Sequence, residues 1–101
     1  MEINMKKTRI YSGLFIVDPD REEGSEAIEK DIKAIITGNT GSVVGEKATV
    51  KKRLAFPMNK KEEGGYYEIT FKAEPLAIEK ITRLCKINTD ILRTFIDVIN
   101  A

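Results

Sequence analysis

The order of apolar patterns along the chain predicts an α+β domain: a four-stranded antiparallel sheet with two helices on one of its faces. Two observations predict it. Four stretches rich in β-branched and aromatic residues alternate with two whose apolar residues recur at helical spacing, in the order βαββαβ. The 101 residues also leave room for one core only, which a single sheet and two helices would fill.

The first strand is Arg9 to Val17 (RIYSGLFIV), closed by Asp18-Pro19-Asp20, where the proline removes a ladder donor and the aspartates favour a turn. From Glu22 to Thr37 the residues Ile28, Ile32, Ile35 and Ile36 form one helical face. Asp20 with Glu23 has the spacing of a capping box, Ser25 offers a second start, and Gly38 is expected to supply a left-handed stop. Gly41 to Phe56 reads as a second strand with an irregular start. The apolar-free run from Asn59 to Gly65, ending in paired glycines, reads as a flexible hairpin loop.

Tyr66 to Lys72 then alternates, with Tyr67, Ile69 and Phe71 on one side and Tyr66, Glu68 and Thr70 on the other. Pro75 suits the first position of a second helix whose stripe is Ala77, Ile78, Ile81, Leu84 and Cys85. Asn88-Thr89-Asp90 ends it. Ile91 to Ile99 closes as the fourth strand, with Leu92, Ile96 and Val98 on one face and Arg93, Phe95 and Asp97 on the other. This is the ferredoxin-like arrangement, here a single domain over residues 9–100 behind an N-terminal extension, residues 1–8.

Helices on one face leave the other open. Both sides of the first strand carry apolar groups, Tyr11, Phe15 and Val17 on one and Ile10, Leu14 and Ile16 on the other. Whichever side faces the helices, an apolar strip remains on the bare side, the usual mark of a binding surface.

The chemistry available is narrow. With no histidine and one cysteine, the commonest zinc sites and every histidine-dependent catalytic arrangement are excluded. Asp18 and Asp20 read as turn and cap rather than a magnesium site, and Cys85 as a small core residue in a protein of a reducing compartment. No phosphate-binding glycine loop is present, no run approaches the roughly 20 apolar residues of a membrane span, and no cofactor is expected.

The 17 lysines and arginines nearly balance the 16 acids, so net charge supplies no global field for a polyanion. Local clusters do stand out: Lys6, Lys7 and Arg9; Lys51, Lys52 and Arg53; Lys60 and Lys61. If these converge, they form a basic rim that binds phosphates with release of counterions. The run from Gly65 to Phe71 is similar to the stacking strand of an RNA recognition motif, yet Glu68 stands where the second exposed aromatic belongs. Reading of single-stranded RNA across the sheet is therefore disfavoured.

Several strings in the right order resemble the bacterial small-subunit ribosomal protein S-six family: Tyr11 to Pro19 (YSGLFIVDP), Lys51 to Pro57 (KKRLAFP), Gly65-Tyr66-Tyr67, Phe71 to Pro75 (FKAEP) and Asn88 to Arg93 (NTDILR). The resemblance implies a ferredoxin-like, non-catalytic ribosomal protein that pairs with ribosomal protein S-eighteen on the central domain of small-subunit ribosomal RNA. It makes Lys51, Lys52 and Arg53 phosphate contacts and matches Arg9 to a family basic position; charge alone adds Lys6, Lys7, Lys60 and Lys61. The uncovered side, with Leu14, Ile16, Tyr66, Arg93 and Phe95, is expected to meet the protein partner. Ser12, where the family commonly has glutamate, and Thr49-Val50, in place of Trp-Gly, depart from its pattern. The expected protein is cytoplasmic, on the ribosome, and monomeric when free. The competing reading is a regulatory or small-molecule-binding domain of the same fold that homodimerises through its open sheet face.

Overall fold

The computed structural model describes residues 8–20, 24–58 and 60–100. Its elements run β1 (Arg9–Val17), α1 (Ser25–Thr37), β2 (Ser42–Met58), β3 (Lys61–Ala73), α2 (Pro75–Ile87) and β4 (Ile91–Asn100). The sheet order is β2-β3-β1-β4, and every neighbouring pair is antiparallel. The α+β, ferredoxin-like βαββαβ fold is thus as expected.

The core lies between sheet and helices. Tyr11, Phe15 and Val17 of β1 meet Tyr67, Ile69, Phe71 and Ala73 of β3, Ile91 of β4, Ile28, Ile32 and Ile36 of α1, and Ile81 and Cys85 of α2. Each such large apolar side chain contributes roughly 1.5–3 kcal/mol on burial. The helices pack on each other and on one face, α1 over β2 and β3, α2 over β4. Burial pushes the Cys85 thiol up to about 11, so at neutral pH it stays protonated.

Polar bonds fasten α1 to the sheet. Thr49 donates its backbone N–H (3.2 Å) and its hydroxyl to the Glu29 carboxylate. The Tyr67 hydroxyl donates to Glu46, which also pairs with Lys33 at 3.1 Å.

Four local expectations are corrected. Helix α1 begins at Ser25 with Gly24 (φ 83°) at its N-cap and no side-chain cap. Asp20 donates its own N–H to Asp18 Oδ1 at 2.9 Å and gives its carboxylate to Lys61, while Glu23 lies outside the described residues. Second, Gly38 is right-handed (φ −71°); the left-handed residue is Thr40 (φ 65°). The chain then doubles back so closely that a Cβ on Gly41 would stand 2.7 Å from the Ile36 carbonyl oxygen.

Third, β3 starts at Lys61, inside the loop expected over 59–65. Gly64 and Gly65 are strand residues paired with Lys52 and Lys51. Their glycine character answers a close approach: a Cβ on Gly64 would lie 2.7 Å from Ile16 Cγ2, and one on Gly65 would lie 2.9 Å from Val17 Cγ2. Fourth, Ile91, not Leu92, is the inward residue that opens β4. The register shifts between Ile16 and Val17, so Leu92 becomes the extra residue of a bulge. At the far end of β4, Val98 is 44% exposed although it pairs with Tyr11.

Candidate nucleic-acid interface

Register sorts the candidate residues. β1 ends at Val17, opposite Gly65, so β2 and β3 continue past it as a two-stranded ribbon. The molecule measures 52 × 25 × 23 Å, long for its width. The ribbon, residues 51–63, holds Lys51, Lys52, Arg53, Lys60 and Lys61 against Glu62 and Glu63. Five cations and two carboxylates make this projection far more positive than a molecule of net charge +1.

Alternation along β2 divides the basic run. Lys52 opposes Gly64 and shares the open face with Tyr66. Its ammonium lies 5.4 Å from the Tyr66 ring centroid, a cation–π contact. Lys51 and Arg53 point to the other side, where Lys51 pairs with Glu63 at 3.8 Å. Arg53 is exposed and, like the exposed Lys60 (φ 65°) in the turn, has no ion-pair partner among the described residues.

Lys61 is committed elsewhere. Its Nζ lies 3.2 Å from Asp20 and 3.5 Å from Asp18, tying the ribbon to the turn after β1. The hydrogen bond to Asp20, with Asp18 beside it, raises its pKa above the ordinary lysine value. Its charge is thus already engaged within the protein.

The expected convergence with Arg9 is corrected as well. Arg9 pairs with Ala73 and Lys52 with Gly64, nine residues apart on β3. At ~3.3 Å per residue that is about 30 Å, so Arg9 marks the opposite pole of the sheet. Lys6 and Lys7 lie outside the described residues.

All five candidates for the protein partner share the open face. Tyr66, Ile16 and Arg93 form one cross-strand row, Glu68, Leu14 and Phe95 the next. Their accessibility differs. Phe95 is 49% exposed and Leu14 half-buried, but Ile16 is only 4% exposed, since it and Leu54 fill the space over Gly64. Ile16 is therefore a support, and the available surface is Leu14, Tyr66, Arg93 and Phe95. Glu68 pairs with Lys47 at 3.4 Å on this same face, so its middle is not a phosphate track.

Two features escaped the sequence reading. A cleft of about 180 Å³ between α2 and β4 is lined by Thr82, Lys86 and residues 91–94; only the packing of helix on edge strand forms it. Phe56 is 79% exposed on the ribbon. It lies within β2, and the Pro57 that follows it, which cannot donate to a ladder, is the sequence signal for the break in pairing between Arg53 and Met58.

The sequence pattern of the ribosomal protein S6 family matches residues 10–96. The chain belongs to this family. It is 38% identical to small ribosomal subunit protein bS6 of Corynebacterium jeikeium over 87 residues, 85% of this chain and 92% of that one. It is 36% identical to bS6 of Desulforamulus reducens over 89 residues, 87% and 94% of the two chains. A crystal structure of 30S ribosomal protein S6 from Thermotoga maritima superposes with a TM-score of 0.82 at 24% identity, covering 91% of this chain and 88% of that one, a likeness of fold. Membership in the S6 family makes the chain a structural, non-enzymatic protein of the small ribosomal subunit, located on the ribosome in the cytoplasm.

Proposed function

We propose that the chain binds the central domain of small-subunit ribosomal RNA jointly with ribosomal protein S-eighteen, and that it is a monomer when free. The observation that carries this reading is the segregation of charge onto the β2–β3 ribbon, beyond the end of β1. Lys52, Arg53 and Lys60 make the phosphate contacts. The open face, through Leu14, Tyr66, Arg93 and Phe95, takes the protein partner.

The two surfaces adjoin at the Lys52–Tyr66 contact. A chain of net charge +1 binds RNA weakly alone. Docking on a second RNA-binding protein adds that protein's phosphate contacts at high effective concentration, so the pair binds where each alone would dissociate. Membership in a ribosomal family favours this reading over a homodimerising ligand-binding domain.

The test is the salt dependence of RNA binding by the pair. Each lost phosphate contact reduces the slope of log Kobs against log salt by about 0.7–0.9. Replacing Lys52, Arg53 and Lys60 together by alanine should flatten it by about two or more. An unchanged slope removes the ribbon from the RNA site. Sedimentation equilibrium of the free chain should give one protomer, and a stable dimer would support the competing reading.

A further inference from the structure

Phe56 is the most exposed large apolar side chain among the described residues. Its display is built into the register. Between the pairs Arg53–Glu63 and Met58–Lys61, four β2 residues, Leu54 to Pro57, oppose the single β3 residue Glu62. A bulge of this kind re-aims side chains, and here it splits two apolar ones: Leu54 packs beside Ile16 over Gly64 at 7% exposure while Phe56 faces solvent at 79%.

The surroundings narrow what would cover the ring. An aromatic anchor for a protein pocket usually sits within an apolar surround that excludes water. Phe56 has only the exposed Ala55 and Pro57 as chain neighbours, on a ribbon whose other exposed side chains are the cations Lys51, Lys52, Arg53 and Lys60 and the carboxylates Glu62 and Glu63, of which Glu63 is paired with Lys51. A ring displayed among cations is the arrangement of a stacking platform for nucleic acid, where the charges track the backbone and the ring takes a base face. On the sheet, Tyr11, Phe15, Tyr67 and Phe71 are buried, and the accessible rings Tyr66 and Phe95 flank Glu68 on the face given above to the protein partner.

We propose that Phe56 stacks on an unpaired base of the RNA held by the ribbon. The inference rests on the RNA-binding reading above and adds to it a contact with a base face rather than a phosphate. Phenylalanine has no hydrogen-bonding group, so the contact accepts any base whose neighbours leave it unstacked.

The experiment compares wild type with Phe56→Ala, Phe56→Leu and Phe56→Tyr, each paired with ribosomal protein S-eighteen, on a central-domain RNA fragment over a series of salt concentrations. At 79% exposure the ring supports no core packing, so all three variants should fold. Phe56→Ala and Phe56→Leu should bind about five- to a hundredfold more weakly at every salt concentration with the slope unchanged, because stacking releases no counterions. Phe56→Tyr should bind like wild type. Full affinity in Phe56→Ala would overturn the proposal, and so would full affinity in Phe56→Leu, which keeps apolar bulk without a ring. Loss of S-eighteen binding by Phe56→Ala in the absence of RNA would assign the ring to a protein pocket instead. If the wild-type pair fails to bind the fragment, the underlying RNA reading falls, and the inference with it.

Discussion

The Lys52 ammonium stands 5.4 Å from the centre of the Tyr66 ring, joining the charged ribbon to the open face of the sheet. An exposed contact of this type contributes about 0.5–1 kcal/mol. A double-mutant cycle on Lys52→Ala and Tyr66→Leu, read from urea unfolding, should return a coupling energy of about that size. Strict additivity of the two substitutions would mean that ribbon and face are independent.

Gly64 and Gly45 should respond in opposite senses to alanine. A methyl on Gly64 meets Ile16 Cγ2 at 2.7 Å and Leu54 Cδ2 at 3.0 Å, whereas one on Gly45 meets nothing within 4 Å. Overpacking of the first kind costs about 1–3 kcal/mol, while the second reduces unfolded-chain freedom and adds up to about 1 kcal/mol of stability. Urea midpoints of Gly64→Ala and Gly45→Ala provide the comparison; equal midpoints would contradict the close packing over Gly64.

The Glu46 carboxylate accepts from the Tyr67 hydroxyl and pairs with Lys33, and these two bonds hold its pKa below the ordinary 4.5. A carboxylate depressed on folding contributes stability that is present above its unfolded value and is lost as pH falls through its lower folded value. The stability advantage of wild type over Glu46→Gln should therefore hold at neutral pH and shrink as pH drops below about 4.5. A difference that stays constant from neutral pH to pH 2 would contradict the ionised bond.

Lys60 and Lys61 are neighbours with different duties. Lys61→Ala should leave the salt slope of RNA binding unchanged, because its charge already answers Asp18 and Asp20. Lys60→Ala should lower that slope by about 0.7–0.9, the loss of one phosphate contact. Salt titrations of the two single variants test this, and an equal fall in both would show that the aspartates release Lys61 to the RNA.

These contrasts also show what was legible in the sequence and what was not. Periodicity placed the six elements, since Ile28, Ile32, Ile35 and Ile36, at steps of four, three and one, share a face in a helix but not in a strand, and Tyr67, Ile69 and Phe71, at steps of two, share one in a strand but not in a helix. It also put Arg93 and Phe95 on one face of β4, and the register then sets them beside Ile16 and Leu14. Gly64 and Gly65 were misread because glycine serves both for left-handed turns and for close approach, and only the tertiary neighbours Ile16 and Val17 reveal which. The basic rim failed for a related reason. Clusters near one another in a plan of the chain separate once register is known, and Arg9 came to lie at the far end of β1 from Lys52. Nor does composition reveal that Lys61 is already paired, since its aspartates are about forty positions away in sequence.

The most direct measurement shortens the ribbon. Replacing residues 52–64 by a two-residue Asn-Gly turn joins the paired positions Lys51 and Gly65 and removes Lys52, Arg53, Phe56 and Lys60 while sparing every residue of the core between sheet and helices. Such a chain, confirmed as folded by circular dichroism and mixed with ribosomal protein S-eighteen, should fail to bind central-domain RNA at a salt concentration where wild type is saturated. Wild-type affinity in the shortened chain would contradict the assignment of the ribbon to RNA.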